Sequence, residues 1–350
     1  MSRLLRFLKY TGLVLLALAA ILCVAGYAFE TKSRRDAEKI RPDGAMALVG
    51  DHRLHYYRTG SGGPTVIFET AFDPAGHLQW LDIQRKLPKD YTSISYDRAG
   101  ILWSERGSGP KSGEEIATEL HLLLEAAGAA KPYVVVGHSF GGTLSRFFVV
   151  KYAKEVAGVI LVDSQTPDDD RYLSPRLYEM VNERLPAGFL RFANTFGLVR
   201  IMFRHMFPGT SEFDYQNSIM PSLLYKSADA VLEEQAQMDA IKRKAAEIRS
   251  FGSIPLYVLT ASDERRYDAI IKDARLKGEL LSAWATMQRD LLKLSSNSRQ
   301  ILAQESGHYI NQDQPEVIVQ AINTMVATVR AGQDAKAVPA SHASLSPSSP

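Results

Sequence analysis

The chain has 350 residues, of which 45% are hydrophobic and 23% are charged, and its formal net charge at pH 7 is +2. This balance excludes an intrinsically disordered chain and the strongly basic surface that nucleic-acid binding requires, so we expect no nucleic-acid partner. The single cysteine, Cys23, excludes disulfide bridges and cysteine-rich metal sites from the rest of the chain.

The N-terminal segment is typical of a membrane anchor. Three basic residues within positions 3–9 precede nineteen uncharged residues, from 11 to 29. As a helix this run would span roughly 28 Å, close to the hydrocarbon thickness of a bilayer. We therefore predict a short basic tail over residues 1–9, a transmembrane helix over residues 10–29 and a polar linker over residues 30–44.

The orientation and processing of this segment leave alternatives. A short basic tail usually stays in the cytoplasm, which predicts that the rest of the chain lies outside, although the residues after the span are also basic. A cleaved signal peptide is the alternative to an anchor, but its apolar region would usually be only about 7–15 residues long. Lipid modification of Cys23 is disfavoured because Leu22 before it is large.

Strand and helix patterns alternate beyond the linker. Short apolar strands are predicted at 46–49, 53–59, 65–69, 92–96, 134–136, 158–162, 254–260 and 299–303. Ser112 and Glu115 form a capping box in front of a helix whose apolar residues recur at helical spacing. The alternation predicts an α/β fold in which a mostly parallel twisted sheet is covered by helices on both faces.

The alternation breaks between residues 164 and 253, where helices are predicted at 171–185, 190–206 and 228–249. We interpret this segment as a helical cap inserted into a core of residues 45–163 and 254–332, and residues 333–350 as a disordered tail. The dense apolar stripe over residues 189–207 is expected to form cap core, with part of it lining a pocket. A second membrane-contacting surface is the alternative, because Arg191, Arg200 and Arg204 interleave with it.

One short stretch carries a chemical signature. A β-branched run is followed by Gly137-His138-Ser139-Phe140-Gly141 and then by a helical pattern, which is the context of a nucleophile elbow. The glycines leave room for the tight turn that exposes the serine hydroxyl, and the Phe140 amide at the helix N-terminus can hold an oxyanion. For so short a pattern, a turn that binds nothing is the alternative.

A serine nucleophile needs a base, and His308 is the best candidate. It follows the last predicted strand, next to Gly307, and respects the chain order serine, acid, histidine. His138 should point away from Ser139 despite its position in the chain. Surface or core roles are expected for five other histidines, His52, His55, His77, His121 and His205, while His342 lies in the predicted tail.

The sequence leaves alternatives for the carboxylate that orients the histidine and for the second amide that holds the oxyanion. Asp163 ends the strand after the elbow helix and is narrowly preferred as the acid over Asp263, with Glu264 third. The Phe72 amide, in the loop after strand 65–69, is the predicted second oxyanion donor, and a plain loop is its alternative. No histidine and carboxylate spacing typical of a metal site is present, so we predict no metal and no cofactor.

Several motifs together resemble a known family. They are Ser95-Tyr96-Asp97-Arg98-Ala99-Gly100 with Trp103-Ser104, residues 133–142, residues 158–164, and Ser306-Gly307-His308-Tyr309-Ile310 with Gln314-Pro315-Glu316. Over about residues 48–330 the chain resembles the α/β-hydrolase superfamily, and within it the serine esterase and lipase-like AB hydrolase-1 branch. The resemblance implies acyl transfer through Ser139, but the fold hosts many substrates.

We therefore expect a membrane-anchored serine hydrolase that cleaves a hydrophobic or lipid-like carboxylic ester, its small-molecule partner. A serine at the elbow, rather than an aspartate, argues against epoxide hydrolase and dehalogenase chemistry. Two other classes stay open. One is an acyltransferase or thioesterase that uses the same residues, and the other is a non-catalytic ligand-binding homologue.

Overall fold

The computed structural model describes residues 3–109, 111–184, 186–206, 214–268 and 271–337. Its first element, helix α1 (Arg3–Ala37), contains a stretch that is long and apolar enough to cross a membrane and is not buried by the rest of the chain. The helix continues through residues 30–37, so the predicted linker is wrong in its first half. The reason is that the buried Glu30 carboxylate accepts hydrogen bonds from Arg34 at 2.9 Å and from Arg200 at 2.8 and 2.9 Å.

An eight-stranded sheet forms the centre of the molecule. Its strands are β1 (Ala45–Val49), β2 (His52–Thr59), β3 (Thr65–Glu69), β4 (Ser93–Tyr96), β5 (Tyr133–His138), β6 (Val156–Val162), β7 (Leu256–Ala261) and β8 (Ser298–Ala303). Their order is β1-β2-β4-β3-β5-β6-β7-β8. Only the pairs β1–β2 and β2–β4 are antiparallel. Strands β3, β4, β5 and β7 are buried along their whole length, which explains the apolar runs within β3, β5 and β7.

Helices cover both faces of the sheet, as predicted. On one face, α3 (Gly113–Ala126) and α4 (Phe140–Lys151) pack in one cluster with Ile67 and Val135. On the other face, α2 (Leu81–Lys86) and α11 (Pro315–Ala337) pack with Phe68 and Val136. Consecutive strand residues thus point to opposite faces and find an apolar layer on each. The predicted α/β fold is confirmed.

Local signals fixed some helix ends but not others. The Ser112 and Glu115 capping box is present at the start of α3. Two further helices, α9 (Ala274–Leu291) and α10 (Ile310–Asp313), precede α11. Helix α11 extends to Ala337, so residues 333–337 are helical rather than part of a disordered tail. The remaining tail residues, 338–350, and with them His342, lie outside the described residues.

The segment between β6 and β7 is helical, with bounds that differ from the prediction. It contains α5 (Pro175–Val181), α6 (Ala187–Thr195), α7 (Leu198–Met206) and α8 (Asp214–Glu247). The predicted helix over residues 190–206 is interrupted at Gly197, whose φ of 75° ends α6 and turns the chain into α7. The helix predicted to begin at residue 228 begins earlier, at Asp214.

The apolar stripe of this segment is buried on one side only. Leu190, Ala193, Val199 and Phe203 pack inward against Leu224. The outward residues of the same two helices are 44–64% exposed, and we call them the apolar cap face: Phe189, Phe192, Leu198, Ile201 and Met202. The prediction that the stripe forms cap core is therefore wrong for its outer half. Phe207 and the side chains of Arg204, His205 and Met206 lie outside the described part of the chain.

Candidate active site

The serine of the predicted elbow lies between β5 and α4. Ser139 adopts φ 52° and ψ −120°, a conformation that side-chain-bearing residues rarely occupy. The turn is crowded: a Cβ added at Gly137 would lie 2.8 Å from the Gly141 carbonyl oxygen, and one added at Gly141 would collide with the Glu69 and Thr70 carbonyls. The glycines therefore allow the backbone approach that lifts the Ser139 hydroxyl clear of the strand.

The structure brings Ser139, His308 and Asp163 together from three separate places in the chain. The Ser139 Oγ lies 2.9 Å from His308 Nε2, and His308 Nδ1 lies 2.7 Å from Asp163 Oδ2. Ser139 follows β5, Asp163 follows β6 and His308 lies in the loop after β8. Because β5, β6 and β8 are parallel, their carboxyl ends meet at one edge of the sheet.

The Asp163 carboxylate is buried and held by its second oxygen. Asp163 Oδ1 accepts hydrogen bonds from the Ala261 N–H at 3.1 Å and from Trp284 Nε1 at 2.9 Å. The Arg266 guanidinium lies 3.9 Å from the same oxygen. These donors leave Oδ2 to accept from His308, which would fix the histidine tautomer with its proton on Nδ1.

The other two candidate acids lie elsewhere. The Asp263 carboxylate is engaged by Arg265, with the backbone N–H at 2.9 Å and the guanidinium at 2.9 and 3.0 Å, and these hydrogen bonds lower the pKa of Asp263. Asp263 lines the same cavity as His308 but is not bonded to it, and Glu264 is exposed. Of the three candidates, the structure places only Asp163 against the histidine.

The two predicted oxyanion residues also face one cavity. Phe72 and Phe140 both line it, with their rings 6.4 Å apart in an edge-to-face arrangement. Within the described ranges, neither backbone N–H donates a hydrogen bond to another protein atom. The neighbouring Ala71 N–H, by contrast, is occupied by the Gln79 side chain at 3.1 Å. An oxyanion formed at Ser139 would require two free amides of this kind.

Arg98 holds the loop that carries Phe72, a role that sequence reasoning missed. Its guanidinium donates to the carbonyl oxygens of Thr70 and Ala71, each at 2.8 Å, and to the Glu69 carboxylate at 2.9 Å. It also pairs with Glu234 of α8 at 2.5 and 2.9 Å. Because these partners are far apart in the chain, no local pattern could have indicated that Arg98 joins the loop to the cap.

His138 points away from Ser139, as expected, yet it contacts the site. Its Nε2 lies 2.9 Å from the His308 carbonyl oxygen, and its Nδ1 contacts the Gln79 amide. Burial, reinforced by the neighbouring His308 ring, lowers the pKa of His138 to about 3. The ring is therefore neutral at physiological pH, accepts from Gln79 and donates to the loop that carries His308.

The remaining described histidines have other partners. His55 and His77 both place Nδ1 on the buried Asp97 carboxylate, at 2.9 and 2.8 Å. Burial by itself would raise the pKa of Asp97, but the two rings have the larger effect and hold that pKa well below its ordinary range. His52 lies beside Asp51, and His121 lies 2.9 Å from the Glu155 carboxylate. None of the four reaches Ser139, which agrees with the core and surface roles predicted for them.

A cavity of about 1010 Å³ lies over Ser139 and His308. Its apolar walls come mainly from α5, α8, α9 and the segment before α9: Met180, Met238, Ile271, Leu280 and Trp284. Charged side chains of Glu183, Arg184 and Asp239 also border it. No residue of the apolar cap face lines this cavity, so the expectation that part of the stripe forms pocket wall is wrong for the described side chains.

Comparisons with known proteins agree with this architecture. A family model described as the α/β-hydrolase fold matches residues 64–202. The YqjL protein of Bacillus subtilis is 23% identical over 267 residues, which cover 76% of this chain and 85% of that protein. The matched family region includes the elbow, β6 and Asp163.

Solved structures share the fold at low sequence identity. A thermophilic esterase from Thermogutta terrifontis superimposes with a TM-score of 0.56 at 20% identity and covers 82% of this chain and 99% of its own. The haloalkane dehalogenase DatA from Agrobacterium tumefaciens gives a TM-score of 0.58 at 16% identity, with 82% and 98% covered. Strand order, elbow and family match lead to one assignment: the chain has the α/β-hydrolase fold.

Proposed function

We propose that this α/β-hydrolase is a membrane-anchored serine hydrolase that cleaves a carboxylic ester through an acyl-enzyme on Ser139. One observation carries the proposal. The Ser139 hydroxyl, the His308 ring and the Asp163 carboxylate form a continuous chain of contacts at 2.9 and 2.7 Å, and Ser139 and His308 line a cavity. This is the geometry in which a histidine can take a serine proton while a buried carboxylate stabilises the resulting imidazolium.

The proposed reaction has two halves. His308 Nε2 accepts the hydroxyl proton as Ser139 Oγ attacks the ester carbonyl carbon, and the Phe72 and Phe140 N–H groups stabilise the oxyanion. The tetrahedral intermediate collapses, the C–O bond to the alcohol breaks, and His308 protonates the leaving alcohol. Water, deprotonated by His308, then attacks the acyl-enzyme and releases the acid together with free Ser139.

The residue at the elbow and the cavity support an ester substrate with a hydrophobic acyl group. A dehalogenase or epoxide hydrolase would use an aspartate as nucleophile, whereas position 139 is a serine. The cavity walls carry Met180, Met238 and Trp284, and its volume of about 1010 Å³ accommodates a long acyl chain. An apolar wall gains free energy from burying hydrocarbon, so a hydrophobic or lipid-like acyl group fits the site best.

The proposed anchor is α1. Its apolar window has a mean hydropathy of 2.5 and is not covered by protein. A helix of this kind is stabilised by a lipid environment, and the basic tail in front of it favours a cytoplasmic N-terminus. The catalytic part then lies on the extracytoplasmic side. A protease site placed in the predicted C-terminal tail tests this orientation. Added protease should cut that site in intact cells as well as in lysed cells, and cleavage in lysed cells alone would contradict the orientation.

The proposed nucleophile is tested by covalent labelling of the full chain with a fluorophosphonate probe. We expect labelling of wild type, no labelling of Ser139→Ala, and a loss of turnover of about a million-fold in that variant. Ser145→Ala is the matched control, because its hydroxyl only bonds the Gly141 carbonyl within the same helix. Labelling that survives in Ser139→Ala would overturn the proposal. Preferential transfer to an added alcohol would assign an acyltransferase instead.

A further inference from the structure

The apolar cap face lies next to the helix that we propose as the membrane anchor. We propose that the apolar cap face rests in the lipid surface of the bilayer that α1 crosses, so that the cap makes a second membrane contact. This inference depends on the proposal that α1 spans a membrane and adds a surface to it. It commits to one partner, the lipid of that same bilayer.

Helices α6 and α7 each carry apolar residues both on the side that packs against the protein and on the exposed side. Helix α6 packs Leu190 and Ala193 against the protein and exposes Phe189 and Phe192. A helix at the surface of a water-soluble domain would carry polar residues on its outer side. Large hydrophobic residues exposed elsewhere beyond α1 are scattered over the described chain: Met46, Leu48, Leu122, Val150, Val181, Leu302 and Tyr309. Only in α6 and α7 do five of them gather within residues 189–202, and a gathered patch of this kind marks an interaction surface.

The position of α1 identifies what covers this patch. A Cβ added at Gly26 would lie 2.7 Å from the Phe196 carbonyl oxygen, and one added at Gly197 would lie 3.0 Å from the Phe29 ring. The end of α1's uncharged run therefore touches the turn between α6 and α7. When α1 spans the bilayer, the end of that run lies at the boundary between hydrocarbon and headgroups. The apolar cap face then lies at the same depth.

Buried polar contacts fix both helices to α1. Glu30 of α1 pairs with Arg200 of α7 at 2.8 Å, and both side chains are at most 4% exposed. Arg34 of α1 donates to the Asn194 carbonyl oxygen of α6 at 2.8 Å. Because charges buried in this way cannot separate without a large loss of stability, the cap keeps one orientation relative to the anchor. A fixed orientation is what a surface lying in a membrane plane requires.

Exposed basic residues surround the junction. Lys32 and Arg35 of α1 and Arg191 of α6 are exposed, although Arg191 also lies 3.5 Å from the Asp229 carboxylate. Cations next to an apolar helical surface suit anionic headgroups beside acyl chains. Exposed Tyr27 lies close to the end of the span, where aromatic residues favour the interface. Charge and apolar area therefore agree on a lipid surface as the partner.

The experiment uses the full chain with Cys23→Ser and single cysteines that replace Phe192, Met202, Leu302 or Leu16. All four positions are exposed, so the substitutions leave the packing intact. Leu302 is the matched apolar control, because it is as exposed as Phe192 and Met202 but lies on β8 of the sheet rather than in the cap. Each variant carries an environment-sensitive fluorophore and is placed in vesicles of equal parts phosphatidylcholine and phosphatidylglycerol, with or without a lipid bearing a nitroxide in its upper acyl chain.

We expect the nitroxide lipid to remove most of the emission at positions 192 and 202, as at position 16, and to leave position 302 unchanged. Quenching at position 16 with positions 192 and 202 behaving like 302 would overturn the cap contact while leaving the anchor in place. The absence of quenching at position 16 would overturn the anchor and this inference together. Shielding of positions 192 and 202 from aqueous quenchers without nitroxide quenching would assign a protein partner and also overturn it.

Discussion

The carboxyl edge of the sheet and the apolar cap face differ in what stabilises them. At the sheet edge, Ser139 and Asp163 follow β5 and β6, two strands that are sandwiched between apolar layers of the same chain, and His308 follows the outer strand β8. In the cap, α6 and α7 bury one side against the protein and leave an apolar side uncovered. The sheet edge is thus completed within the chain, while the cap face requires the lipid that we propose as its partner.

This difference explains what the sequence could and could not predict. The strands and the elbow rest on local signals: apolar runs of strand length, crowding glycines, and a capping box at Ser112. The cap stripe carries an equally strong apolar signal, but a pattern cannot tell which side of a helix meets protein. The linker prediction failed at Glu30 because its partner, Arg200, lies 170 residues away. The contacts that Arg98 and His138 make with the site were missed for the same reason, since all of them are long-range.

After loss of Ser139 itself, removal of the Asp163 carboxylate from the sheet edge should have the largest effect. In Asp163→Asn, the side-chain oxygen can keep the bonds from Ala261 and Trp284, but the amide then faces His308 and imposes the wrong tautomer. We expect a loss of turnover of about ten thousand-fold, measured with a soluble ester. Asp263→Asn is the matched control and should change little. A severe loss in the control and a mild one in Asp163→Asn would move the acid to Asp263.

The junction between anchor and cap should respond in stability rather than in turnover per folded molecule. Glu30→Ala leaves the buried Arg200 without its carboxylate, which should lower the free energy of unfolding by about 3–5 kcal/mol. Denaturant unfolding in detergent measures this, with Glu38→Ala as the control, because Glu38 is an exposed carboxylate that directly follows the same helix. A chain lacking residues 1–24 should then fold, and one lacking residues 1–30 should not. Equal stability of Glu30→Ala and Glu38→Ala would show that the ion pair does not hold the cap.

Arg98 connects the two regions, and its substitution should show how strongly they are coupled. Arg98→Lys keeps the charge but loses the fork that holds the Thr70 and Ala71 carbonyls. The Phe72 amide should shift, so we expect kcat to fall about 10–100-fold, less than for loss of an oxyanion donor, with KM nearly unchanged. Arg106 pairs with Glu233 at the exposed side of α8, so Arg106→Lys is the control and should leave kcat unaltered. A change confined to KM would show that Arg98 serves the cap alone.

The smallest predicted effect is a pH dependence that His138 gives the folded core. Its pKa of about 3 in the folded chain lies below the ordinary 6.5, so the unfolded chain binds the extra proton and stability falls as the pH drops from about 6.5 toward 3. Between about pH 7 and about pH 5 this group should remove about 2 kcal/mol. His138→Gln should lose less stability over that range than wild type does, measured by denaturant unfolding. Parallel curves for the two proteins would contradict the prediction.

At the carboxyl edge of the sheet, the backbone conformation that the proposed catalysis needs lowers the stability of the fold. Three non-glycine residues in the described ranges have positive φ, and two of them are Ser139 at 52° and Asp163 at 36°. Such conformations cost free energy that a glycine would not incur. A library of variants selected only for heat resistance should therefore drift toward glycine at these two positions and become inactive. A selection for thermostable variants must therefore also select for turnover in every round.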